Sequence, residues 1–124
     1  MYKSLKRGET IGLLPDQVPS GGEGVWADFF GRPAYTMTLV GRLAEASDAT
    51  LLLVCAERRK NGYVMHFEPL PLDHGQPIAE QINRALEMII RVCPSQYLWS
   101  YNRYKVPAGA REPPAQPATE GERQ

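Results

Sequence analysis

Ala49-Thr-Leu-Leu-Leu-Val-Cys-Ala56, continued through Glu57-Arg-Arg-Lys-Asn-Gly62 into Tyr63-Val-Met-His-Phe-Glu-Pro-Leu70, decides the fold class. The first eight residues form an unbroken apolar run of strand length, the pattern of a strand covered on both faces. Arg58 to Gly62 is a polar turn whose Asn-Gly dipeptide favours a hairpin, so Tyr63 to Leu70 is predicted to return antiparallel. Helical periodicity flanks this unit on both sides, and a sheet between helices is an α/β arrangement.

Upstream, Tyr2 to Arg7 reads as the last turns of a helix, because Lys3, Lys6 and Arg7 suit the negative end of its dipole and Gly8 suits a left-handed cap. Thr10 to Leu14 reads as a short buried strand stopped by Pro15, with Asp16 and Gln17 just beyond its carboxyl end, where α/β sheets place ligand groups. Val18 to Gly24 is a loop, and Val25 to Phe30 a short strand or packed loop. Pro33 is predicted to open a helix running to about Ala46, with Tyr35, Leu39, Val40 and Leu43 as its apolar stripe. Downstream, Ile78, Ile82, Leu86, Ile89 and Cys93 keep helical spacing from Pro77 until Pro94 ends the run. The expected architecture is α/β: a mixed, mainly parallel sheet with helices packed on it and a terminal antiparallel hairpin. Residues 1–106 are expected to form the domain and 107–124, rich in Pro, Ala, Gly, Glu and Gln, a disordered tail.

A chain of 124 residues supports one modest core, and its 14 basic and 14 acidic residues leave no bulk charge to attract nucleic acid, so no nucleic-acid partner is expected. Cys55 and Cys93 sit in apolar runs, the setting of free thiols in a reducing compartment. No apolar run approaches the ~20 residues that span a bilayer, and the first residues lack a signal peptide's apolar core. Any membrane association is therefore expected to be peripheral, or supplied by sequence outside these residues.

Few residues carry chemistry. Asp16 is either a turn acid or an acid that orients a polar substrate, with Gln17 adding neutral donors and acceptors. Arg58, Arg59 and Lys60 are either a solvated turn or a phosphate contact, with Arg58 favoured because it lies nearest the strand end. His66 and His74 have no zinc spacing with Cys55 or Cys93, so neither a metal nor a cofactor is expected. Gly21-Gly22-Glu23-Gly24 is a flexible loop rather than a phosphate-binding fingerprint. From Tyr97 to Lys105, four aromatic residues alternate with Arg103 and Lys105. Three readings stay open there: a membrane-interface patch with Trp99, Arg103 and Lys105 facing lipid, a stacking surface for single strands, or a strand that closes the core.

Several segments in order resemble the C-terminal half of the bacterial lipid A biosynthesis acyltransferases, relatives of the glycerolipid acyltransferases. They are Leu5-Lys-Arg-Gly-Glu9, Leu14-Pro-Asp-Gln17, Phe29-Phe-Gly-Arg-Pro-Ala34, Ala56-Glu-Arg-Arg59 with Gly62-Tyr63, and Cys93-Pro-Ser-Gln-Tyr-Leu-Trp99 followed by Asn102-Arg-Tyr-Lys105. The resemblance implies part of a glycerolipid-acyltransferase-like domain that transfers a fatty acyl chain from acyl-carrier protein to a hydroxyl of a lipid A precursor, at the cytoplasmic face of the bacterial inner membrane. It places Asp16 in a substrate-binding block, although Val18 and Pro19 stand where the wider superfamily has threonine and arginine. The family's base is the His of a His-x4-Asp/Glu motif, whose acid orients the imidazole. Here Pro71 and Ala79 stand at that spacing from His66 and His74. The expectation is therefore a C-terminal portion with no catalytic residue of its own, inactive alone, exposing apolar surface to a missing N-terminal half or to self-association. The alternative is a non-catalytic module that binds a membrane or a protein.

Overall fold

The computed structural model describes residues 1–115. Helix α1 (Tyr2–Lys6) ends in a left-handed Gly8 whose amide donates to Leu5 O while that of Glu9 donates to Ser4 O, the paired closure expected of a glycine just past a helix. The chain then runs extended to a turn at Pro15–Asp16, where Gln17 N donates to Leu14 O at 3.3 Å. Thr10 to Leu14 has strand-like sequence but joins no ladder among the described residues, and Leu14 is 64% exposed. The buried strand expected there is absent because its backbone has no neighbour to pair with.

Strands β1 (Gly24–Phe29) and β2 (Arg32–Met37) form the first hairpin. Its loop is Phe30–Gly31, with φ of 48° and 73°, the paired positive φ of the tight turn that matches strand twist. This corrects the reading of Pro33 as a helix opener. The hairpin closes on the Phe29–Arg32 pair, so Pro33, opposite Asp28, falls where its missing N–H would point away from β1 and no ladder bond is lost. Only the second part of the expected helix exists, as α2 (Leu39–Ser47).

The second hairpin, β3 (Leu52–Arg59) with β4 (Gly62–Pro69), has the expected antiparallel return, its two-residue loop being Lys60–Asn61 with Gly62 opening β4. α3 (Ile78–Ile90) follows, then a single turn of tighter helix at Pro94–Gln96. The fold is α/β, but both sheets are two-stranded and antiparallel, so the mainly parallel sheet is not found among the described residues. The continuous apolar run at 49–56 is what misled. β3 buries only its inner side, and Leu52 and Val54 are half exposed.

α3 packs across the first hairpin, burying Ile82, Leu86 and Ile90 with Phe29, Ala34 and Val40. Inside that layer lies a polar knot. Asn83, fully buried, donates to Asp28 O and to Thr36 Oγ1, and Thr36 donates to Ala34 O. Arg103 completes it, donating to Tyr35 O (2.8 Å), Thr36 Oγ1 (2.8 Å) and Asn83 Oδ1 (3.3 Å) with its guanidinium over the Phe29 ring. Arg103 is 3% exposed, so it does not belong with the lipid-facing residues where the sequence placed it. Tyr97 to Lys105 is no closing strand either; it is an irregular strap. Pro107 to Ala115, the described part of the expected tail, includes Arg111 O accepting from Trp26 Nε1 at 3.0 Å; residues 116–124 lie outside the described residues.

Removing the guanidinium would leave Tyr35 O and Asn83 Oδ1 buried without a donor and Thr36 Oγ1 with Asn83 alone. Arg103→Ala is expected to lower stability by about 3 kcal/mol, with Arg103→Lys nearly as damaging because one ammonium cannot reach all three. Urea unfolding checks this as a fall in midpoint at unchanged slope; a surface lipid contact would leave the midpoint where it was.

Candidate functional site

The strap meets most of the fold through phenols and one amide. Tyr97 Oη donates to Asp16 Oδ2 at 3.0 Å, Tyr101 Oη accepts from Val18 N at 2.8 Å, and Tyr104 Oη donates to Phe29 O at 2.6 Å. Gln96 brackets the backbone of Arg58: its Oε1 accepts from Arg58 N at 2.8 Å and its Nε2 donates to Arg58 O at 3.1 Å. A carboxamide placed this way imitates one peptide unit of a neighbouring strand.

The aromatic rings hold these groups in register. Trp99 meets Tyr97 edge-on at 4.8 Å and Phe30 at 5.7 Å, and its Nε1 donates to Pro94 O. Phe29 lies between Tyr97 and Tyr104. Phe30 occupies a left-handed conformation that bulky residues avoid, and three neighbours keep it there: Glu87 accepts its amide at 2.6 Å, Arg91 covers its ring, and Trp99 packs against it.

Asp16 and Arg58, 42 positions apart in sequence, are thus held by the adjacent residues Tyr97 and Gln96. Gln17 is exposed beside Asp16, and the Arg58 side chain is exposed as well. Trp99 is 56% exposed and Lys105 is also at the surface, its ammonium 5.6 Å from the Tyr101 ring. The histidines lie elsewhere: His66 Nε2 meets Glu57 Oε2 at 2.9 Å on the second hairpin, and His74 Nδ1 meets Glu45 Oε1 at 3.2 Å near α2. The His66 contact, with Arg59, holds the Glu57 carboxyl below its ordinary range.

Asp16 and Tyr97 also line one apolar groove of about 910 Å³, together with Thr10 to Leu14, β3 and the inner faces of α2 and α3. Burial pushes the Tyr97 phenol well above its ordinary value, and the charge and hydrogen bond of Asp16 push it further. Sequence reasoning singled out Asp16 and Arg58 as candidates but gave no sign that Gln96 and Tyr97 hold them. The partners are 38 and 81 positions away, so no local pattern marks them.

The chain matches the model of the bacterial lipid A biosynthesis acyltransferase family over residues 1–106. The chain belongs to that family. It is 31% identical over 112 residues to the lipid A biosynthesis lauroyltransferase of Escherichia coli strain K12, covering 85% of this chain and 37% of that protein. To the lipid A biosynthesis palmitoleoyltransferase of the same organism it is 32% identical, covering 82% of this chain and 35% of the relative. Lipid A biosynthesis acyltransferase 2 of Shigella flexneri is 29% identical, covering 78% and 33%. The chain therefore spans little more than a third of the length of these curated acyltransferases. Among the described residues no helix is long and apolar enough to cross a membrane.

A phenol whose folded pKa is raised above ~10 contributes stability that is complete below pH ~10 and is lost as pH rises through the folded value. Stability is expected to fall above pH 10. Tyr97→Phe is expected to be less stable at pH 7 and to show a shallower alkaline decline, with Tyr104, also raised by burial, supplying the remainder. Denaturation midpoints taken from pH 7 to 11.5 check this, and identical slopes for the two proteins would refute it.

Proposed function

We propose that these residues are the acceptor-binding portion of a lipid A biosynthesis acyltransferase, an enzyme that moves a fatty acyl chain from acyl-carrier protein to a hydroxyl of a lipid A precursor. The observation that carries this reading is the convergence of Asp16 and Arg58 on the Gln96–Tyr97 dipeptide within the span matched by the family. Asp16, with one oxygen engaged by Tyr97, keeps lone pairs for a sugar hydroxyl, and Gln17 adds a donor beside it. Arg58, its backbone pinned and its side chain free, suits a precursor phosphate, which a guanidinium can grip bidentately. Trp99 and Lys105 are the residues we assign to the cytoplasmic surface of the inner membrane, where an amphipathic ring and a cation are favoured.

In the reaction, a base takes the proton of the acceptor hydroxyl, the oxygen attacks the thioester carbonyl, and the carrier thiol leaves with a proton. The sequence contains no His-x4-acid pair, and both histidines are engaged with glutamates away from Asp16. The base is therefore assigned to residues outside these 124, and the chain alone is expected to give no turnover. The unit that enters the enzyme is residues 1–106.

The test is a chimera in which this chain replaces the matched region of the Escherichia coli lauroyltransferase. It is expected to transfer an acyl chain from acyl-carrier protein, and Asp16→Ala is expected to cost about 10- to 10²-fold in kcat/KM, the worth of one charge-assisted hydrogen bond. A folded chimera without transfer, or wild-type rates from both Asp16→Ala and Arg58→Ala, would overturn the assignment.

A further inference from the structure

The outer edge of β3 is an unfinished ladder. Leu51 O accepts from Leu70 N, so Leu51 and, by alternation, Leu53, Cys55, Glu57 and Arg59 point their peptide groups at β4. Those of Leu52, Val54, Ala56 and Arg58 point the other way. Only Arg58 has a partner there, the Gln96 carboxamide acting as one strand-like peptide unit; Leu52, Val54 and Ala56 have none among the described residues. Thr10 to Leu13, which share the same apolar groove, likewise have no hydrogen bonds to their backbone groups among the described residues.

Open edges of this kind recruit strands. A second copy of the chain is a poor fit, because each of its strands β1 to β4 already has one edge committed to a hairpin, whereas a strand lying between β3 and Thr10–Leu14 needs both edges free, and its Thr10–Leu14 already forms a wall of its own groove. The apolar lining calls for apolar side chains on that strand. The curated relatives carry nearly two thirds of their length outside the matched region.

We infer that the groove between β3 and Thr10–Leu14 receives one extended, apolar strand from the part of the enzyme that the matched region does not cover, joining both edges into a continuous sheet. Gln96 sets where that strand stops, since it occupies the next pairing position at Arg58. The strand would also brace Asp16, two residues beyond Leu14, so completion of the sheet and completion of the site would be one event. Such a partner fills the groove that an acyl chain would otherwise be assigned to.

Hydrogen exchange tests this without any reaction, so its outcome is separate from that of the acyl-transfer assay. In the 124-residue chain alone, the amides of Leu52, Val54 and Ala56 are expected to exchange fast while those of Leu53, Cys55, Glu57 and Arg58 exchange slowly. In the lauroyltransferase chimera the three fast amides are expected to slow at least tenfold. Val54→Pro removes an outward N–H: it is expected to leave the unfolding midpoint of the chain alone unchanged and to abolish the slowing at Leu52 and Ala56 in the chimera. Equal protection of the three amides in the chain and the chimera would overturn the inference. So would protection that rises with the concentration of the chain alone, which would make a second copy the occupant, or unfolding of the chain by Val54→Pro.

Discussion

Everything in this fold leans on a cation buried without a carboxylate. Arg103 reaches the free edge of β2 at Tyr35 O and the polar knot of Thr36 and Asn83, so a side chain from the end of the domain closes the interior between the first hairpin and α3. Burial pulls its pKa down, yet a guanidinium stays charged in proteins, and the charge is met by carbonyl and hydroxyl oxygens and by the Phe29 ring. Its Nε is the one buried side-chain polar atom left without a partner among the described residues. Such an arrangement tolerates little movement, because any shift of the strap strands a charge in a dry interior.

That rigidity reaches the candidate site through the covalent chain. With Arg103 fixed, Tyr104 and Tyr101 dock on Phe29 and Val18, and Tyr97 and Gln96 arrive at Asp16 and Arg58. The strain at Phe30 has the same dependence, since the rings that hold its left-handed backbone belong partly to the strap. Two hairpins that share no ladder are thereby joined by side chains: Arg103 on the edge of β2 and Gln96 on the edge of β3. Hairpins of two strands are marginal alone, and this tie together with α3 gives them a common core.

What could be read from the sequence was local. Gly8 marks the end of α1 because only its backbone conformation is needed, Asn61-Gly62 marks a hairpin turn, and the spacing from Ile78 to Ile90 marks an amphipathic helix. The family itself was also legible, since ordered short segments suffice for it. Failures occurred where a short-range signal had two meanings. Pro33 serves a helix start and an outward-facing strand position equally well, and an apolar run serves a central strand and an edge strand whose neighbour is elsewhere. Thr10 to Leu14 has the composition of a strand, but composition supplies no partner.

By itself, then, the sequence determined those local conformations whose signal has a single meaning, and membership of a lipid A acyltransferase family. Only the tertiary structure decided that the cation–aromatic strap faces inward, that Tyr97 and Gln96 hold Asp16 and Arg58, and that β3 keeps an open edge. The reason is distance along the chain. Hydrogen bonds between residues 38 to 83 positions apart leave no trace in periodicity or spacing, and whether an Arg is buried depends on acceptors that exist only once the hairpin and α3 have come together.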